Sequence, residues 1–171
     1  MLGSITQFLS AFGDTNERKA LLSTLGVVGP SLSTCSLSHA GLVIKAGGST
    51  LVKTGTSAYY AMVKGKLVTK AAATDMAALS GTVTNAKFNV YVHFVDGAGT
   101  LTTVMGTEGA TLAAVTFPPF DDTKATIGFT IINPTGTGNF VGGTTALDDA
   151  TVVPNAAYVS VDNAFDPTVV A

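Results

Sequence analysis

Residues 87–106, KFNVYVHFVDGAGTLTTVMG, alternate between two kinds of side chain. Successive side chains of an extended strand point to opposite faces, so Phe88, Val90, Val92 and Phe94 share one face and Asn89, Tyr91, His93 and Val95 the other. The period of two predicts a strand whose Phe/Val face lies in a core and whose mixed face lies outward. The run Asp96, Gly97, Ala98, Gly99 contains residues that accept positive φ, so the strand is expected to fold back as a hairpin into residues 100–104.

Working outward, Gly, Pro and Thr punctuate further apolar runs at intervals of about eight to twelve residues, the spacing of many short strands. Strands are expected at 42–46, 49–54, 58–63, 66–70, 112–117, 125–132 and 157–161, with Ile127, Phe129 and Ile131 joining the core. Pro118 and Pro119 cannot donate to a ladder and belong outside a central strand. No helical pattern alternates with these strands, which argues against parallel βαβ units. The expected class is mainly β: an antiparallel β-sandwich or jelly-roll-like module over residues 36–171, preceded by short N-terminal helices in an attachment segment, residues 1–35.

In that segment Leu2, Ile5, Phe8, Leu9 and Phe12 recur at three- and four-residue spacing, the stripe of an amphipathic helix ending near Gly13. Asp14 and Glu17 form a reciprocal capping pattern ahead of Ala20, Leu21, Leu22 and Leu25, and Gly26 supplies the stop. Helices this short do not persist alone. Their apolar residues Leu2, Ile5, Phe8, Leu9, Phe12, Leu21, Leu22 and Leu25 are therefore the expected assembly contacts.

Composition points the same way. In 171 residues, hydrophobic side chains make up 46% and charged ones only 12%, with mean hydropathy +0.43, which leaves few charges to keep an isolated monomer's surface wet and suggests life in an assembly. Arg18 and seven lysines against Asp14, Glu17 and Asp75 leave residues 1–90 at +5, whereas Lys124 against eight acidic residues leaves residues 91–171 at −7. Such a division can orient one subunit against the next. No basic stripe with interleaved aromatics is present, so no nucleic-acid partner is expected. Cys35 is the single cysteine, so no intrachain disulfide forms. The N-terminus lacks a basic opening and a small-residue cleavage site, so no signal peptide is expected. The uncharged run from 20 to 44 is broken by Gly26, Gly29 and Pro30, and no membrane partner is expected.

Sites of chemistry are sparse. The glycines of GTGNFVGG, residues 136–143, nearly match a dinucleotide fingerprint but precede no helix, and Gly65-Lys66 is followed by Leu67, which breaks the phosphate-loop pattern. Tight turns or a bulge are the simpler reading of those glycines. His93 could join a triad with a serine, yet no G-x-S-x-G elbow is present, and a surface histidine is expected instead. Cys35 and His39 would face one way on a helix, but two ligands do not close a zinc site. The pairs Asp121/Asp122 and Asp148/Asp149 lack the remainder of a calcium loop and read as turn residues. Tyr59, Tyr60, Tyr91 and Phe140 could form a sugar-stacking platform, although strand aromatics usually pack in cores. No catalytic residue, cofactor or metal is expected, and alanine at Cys35, His39 and His93 is expected to be tolerated.

The stretches NVYVHFVD, ATLAAVTFP, IGFTIINPTGTG and FVGGTTALD, within residues 68–167, resemble small structural proteins encoded in the virion modules of tailed bacteriophages. The resemblance implies a virion component, a capsid decoration or head-fibre-like protein, at the head surface rather than the tail. It implies partnership with itself, as a trimer by analogy with phage surface proteins, and with the major capsid protein or other virion proteins. It transfers no catalytic residue. The alternative function is a host-surface glycan-binding module of a head fibre or tail; a hydrolase using His93 ranks below both.

Overall fold

The computed structural model of the chain describes residues 33–119 and 121–162. The expected helices, with Leu2, Ile5, Phe8, Leu9, Phe12, Leu21, Leu22 and Leu25, lie outside the described residues. Within them the protein is mainly β and every strand pair is antiparallel. In chain order the strands are β1 (Cys35–Ser36), β2 (Val43–Ile44), β3 (Val52–Lys53), β4 (Tyr59–Val63), β5 (Lys66–Lys70), β6 (Thr82–Val83), β7 (Asn89–Asp96), β8 (Leu101–Met105), β9 (Lys124–Ile132), β10 (Phe140–Val141) and β11 (Ala157–Ser160).

The hairpin read from residues 87–106 is present as β7 and β8. The Asp96 carboxylate accepts from the amides of Ala98 and Thr100, both at 2.8 Å, which holds the turn. β9 pairs along the other side of β7, and β11 adds the fourth strand in the order β11–β9–β7–β8. A second sheet runs β1–β4–β5, and β2–β3 and β6–β10 are short two-stranded ladders.

β7 is buried on both faces, which corrects the expectation of an outward mixed face. Tyr91 and Val95 enter the larger core with Tyr59, Ala61 and Val63 of β4, Val68 of β5 and Phe140 of β10. Val90, Val92 and Phe94 form a smaller cluster against Val115, Phe117, Phe129 and Ile131. Phe88, expected in the core, is half-buried just before the strand. The cause is a second covering layer. Residues 112–117, expected as a strand, instead carry a single 3-10 turn at Leu112–Ala114. Bridges from Thr107 to Thr116 and from Phe88 to Gly109 tie this excursion down. Phe117 then meets the Phe129 ring edge-on, with centroids 5.3 Å apart and planes at 89°.

Ile127, Phe129 and Ile131 do not share one face. His93 pairs with Gly128 and Phe94 with Thr126, so Ile127 is the extra residue of a β-bulge. The bulge turns Ile127 into the larger core, while Phe129 and Ile131 stay on the smaller cluster.

Candidate functional site

The most chemically distinctive group is His93, at the middle of β7. It is fully buried, which corrects the expectation of a surface histidine. Its Nδ1 lies 3.0 Å from Thr103 Oγ1 on β8 and its Nε2 lies 2.9 Å from Thr130 Oγ1 on β9. The Thr103 hydroxyl donates its one proton to the carbonyl of Ala77 at 2.8 Å, so toward His93 it can only accept. Nδ1 therefore carries the hydrogen, and Nε2 accepts from the Thr130 hydroxyl. The ring is neutral and both nitrogens are satisfied. Burial pushes its pKa from 6.5 down to about 4, because the charged form loses its hydration in the apolar surroundings.

An imidazole held this way links three strands. A catalytic base needs a free nitrogen aimed at a substrate, and here both nitrogens are taken up by threonine hydroxyls, that of half-buried Thr103 and that of buried Thr130. The expectation that His93→Ala is harmless is corrected: the change leaves a cavity and orphans the Thr130 hydroxyl. It is expected to cost roughly 2–4 kcal/mol in urea unfolding, whereas exposed His39→Ala is expected to stay within about 0.5.

A second buried polar link joins the sheets. The Ser36 hydroxyl on β1 donates to the carbonyl of Thr126 on β9, and accordingly accepts from the Tyr59 hydroxyl on β4. Burial raises the Tyr59 phenol to about 12, so it stays protonated and able to donate.

The glycine cluster serves the backbone. Gly138 and Gly143 have φ of 92° and 75°, the left-handed region that suits glycine. A Cβ on Gly136 would lie 1.7 Å from the carbonyl oxygen of Thr151, so two chain segments meet where no side chain fits. Gly136→Ala is expected to destabilise by roughly 2–3 kcal/mol, read as a lower thermal midpoint.

The acidic residues likewise hold backbone amides, Asp149 and Asp121 within their own turns and Glu108 and Asp148 on distant segments. Asp149 accepts from the amide of Thr151 at 2.8 Å, Asp121 from that of Thr123 at 2.9 Å, and Glu108 from that of Thr84 at 2.9 Å. Both oxygens of Asp148 accept from the amide of Gly48, at 3.1 and 3.0 Å. Among the described residues no three of His, Cys, Asp and Glu stand together as a metal site.

Cys35 lies in extended β1 and His39 in the irregular chain beyond it, so the helical spacing that would have set them side by side is absent. His39 lines an open groove of about 700 Å³ with Gly41, Val43, Lys53 and Ser57. Its Nδ1 accepts from the Gly41 amide at 3.2 Å. Of the four aromatics considered for sugar stacking, Tyr59, Tyr91 and Phe140 are buried in the larger core and only Tyr60 is exposed. Tyr91 meets Phe140 edge-on at 6.1 Å. No helix among the described residues is long and apolar enough to cross a membrane.

Comparison with protein-family models, with curated proteins and with solved structures finds no match to this chain.

Proposed function

We propose that the chain is a non-enzymatic structural protein of a tailed-bacteriophage virion. In this reading it decorates or cements the capsid at the head surface through self-association and contacts with the major capsid protein. The supporting observation is apolar exposure on several elements of the module. Val43 on β2, Val104 on β8, Leu112 in the 3-10 turn and Val141 on β10 are 39–46% exposed, in a chain with only 12% charged residues. Burying such a side chain fully contributes roughly 1.5–3 kcal/mol, so neighbours that cover several of them gain a stable contact.

The resemblance of NVYVHFVD, IGFTIINPTGTG and FVGGTTALD to phage virion proteins supports the same reading. The proposal includes a homotrimer, and attachment through the apolar residues of segment 1–35. It also includes a sandwich or jelly-roll-like arrangement, with β1–β4–β5 facing β11–β9–β7–β8 across the larger core. The test is quantitative mass spectrometry of gradient-purified particles, with antibody labelling. The reading expects the chain in a fixed ratio to the major capsid protein and label on the head. Absence from particles would contradict the structural role, and label confined to the tail would contradict the location.

A further inference from the structure

The outward face of the β1–β4–β5 sheet is apolar. Register places Cys35, Met62 and Leu67 in one row across its three strands. The adjoining row begins with Leu37, whose amide donates to the Tyr60 carbonyl at 2.9 Å, and runs through Tyr60 to Thr69. Leu67 is 61% exposed, Leu37 50% and Tyr60 42%. Three large apolar side chains thus stand out on one small sheet face, while the opposite face of the same sheet fills the larger core.

The chain before β1 leaves from the edge of this face. The Ser33 carbonyl accepts from the amide of Gly65 at 2.9 Å, and the Thr34 hydroxyl accepts from the amide of Lys64 at 3.0 Å. Lys64 and Gly65 form the turn between β4 and β5, between the Met62 and Leu67 positions of the face. The described chain therefore begins beside the apolar row, at Ser33 and Thr34. Upstream, residues 14–26 carry the predicted helix, with Leu21, Leu22 and Leu25 on one side. Thirteen helical residues span about 20 Å at a 1.5 Å rise, close to the roughly 17 Å of a five-residue strand. Residues 27–32 reach at most about 20 Å, enough to turn the helix back over the sheet.

We propose that this face is the seat of the chain's own residues 14–32, with Leu21, Leu22 and Leu25 packed on Leu37, Tyr60, Met62 and Leu67. Docking there leaves Leu2, Ile5, Phe8, Leu9 and Phe12 for contact with other subunits. The seat itself does not depend on the virion reading, and its failure would leave that reading standing.

Arg18 and Lys19 place trypsin sites inside the docked segment. Full-length protein is digested with trypsin, and cleavage after Arg18 and Lys19 is followed by intact mass. Those bonds are expected to open about tenfold faster in the Tyr60→Asp, Leu67→Asp double variant than in the wild-type chain, because cleavage follows the population of the undocked segment. A Leu67→Thr variant, which keeps a strand-forming residue on edge strand β5, is expected to show a smaller increase, and it decides the matter if the double variant loses its β circular-dichroism signal. Equal rates in the wild-type chain and the variants would overturn the proposal. Protection that disappears on dilution would also overturn it, by assigning the segment to a second copy.

Discussion

Either Val92→Asp or Val95→Asp is expected to abolish the cooperative unfolding transition of the β module. Both valines are fully buried, Val92 in the smaller cluster and Val95 in the larger core. An unpaired carboxylate at either place costs several kcal/mol or more, against a total stability of about 5–15 kcal/mol for a domain of this kind. Val95→Asp is the sharper of the two, since alternation in the sequence places Val95 on an outward face. Val104→Asp is the control. Val104 pairs with Val92 across the hairpin yet is 40% exposed, and its variant is expected to keep the transition. Thermal melts followed by circular dichroism separate these outcomes, and a normal melt for Val95→Asp would mean that β7 has only one buried face.

Acid is expected to weaken the module by roughly 3 kcal/mol between pH 6.5 and about 4, through His93 alone. Its imidazole has a lower pKa folded than unfolded, so the unfolded chain takes up the proton first. The stability it confers is complete above 6.5, declines as the pH falls, and is gone once the folded ring protonates near 4. The groups against the ring are the uncharged hydroxyls of Thr103 and Thr130. Tyr91, two residues away on the same face, is pushed up to about 12 by burial and stays neutral throughout.

The aspartates act below this interval, and Glu108 enters only at its lower end. The Thr100 amide holds Asp96 below its usual range, the Thr84 amide does so for Glu108, and the Thr123 hydroxyl does so for Asp121. Their contributions are present above the ordinary carboxylate values of 3.8 and 4.5 and are lost only as the pH falls below those. Urea unfolding of wild type and His93→Met across the interval from 6.5 to about 4 isolates the histidine, because the variant is expected to be less stable and to lose the slope in that interval.

Much of the frame around His93 was legible in the sequence. The turn at Asp96–Gly99 fixes a hairpin in which Val95 meets Leu101, so His93 must meet Thr103. That cross-strand pair could have been read from the spacing alone. Thr130 could not, because β9 reaches β7 across a long connection and its register shifts by one residue at Ile127. The burial of the mixed face was hidden for a related reason. Period-two alternation distinguishes one face from the other but does not say how many layers cover the strand, and here Val115 and Phe117 pack on the Val90, Val92 and Phe94 side while Tyr91 and Val95 join the larger core. Residues 112–117 misled because Leu112, Val115 and Phe117 look like strand material, while the local chain is set by the bridges at Thr107 and Phe88. The glycines of 136–143 are backbone devices, as their turn-rich setting predicts: Gly138 and Gly143 take positive φ, and Gly136 sits against the Thr151 backbone.

The central claim is that the polar groups suggesting chemistry are used to hold the fold, and His93 tests it most directly. In a His39→Gln background, a long-range proton–nitrogen NMR spectrum reports His93 alone. The account predicts a neutral ring protonated at Nδ1 and bare at Nε2, with signals unchanged as the pH passes through 6.5. A proton on Nε2, or a titration midpoint near 6.5, would contradict it.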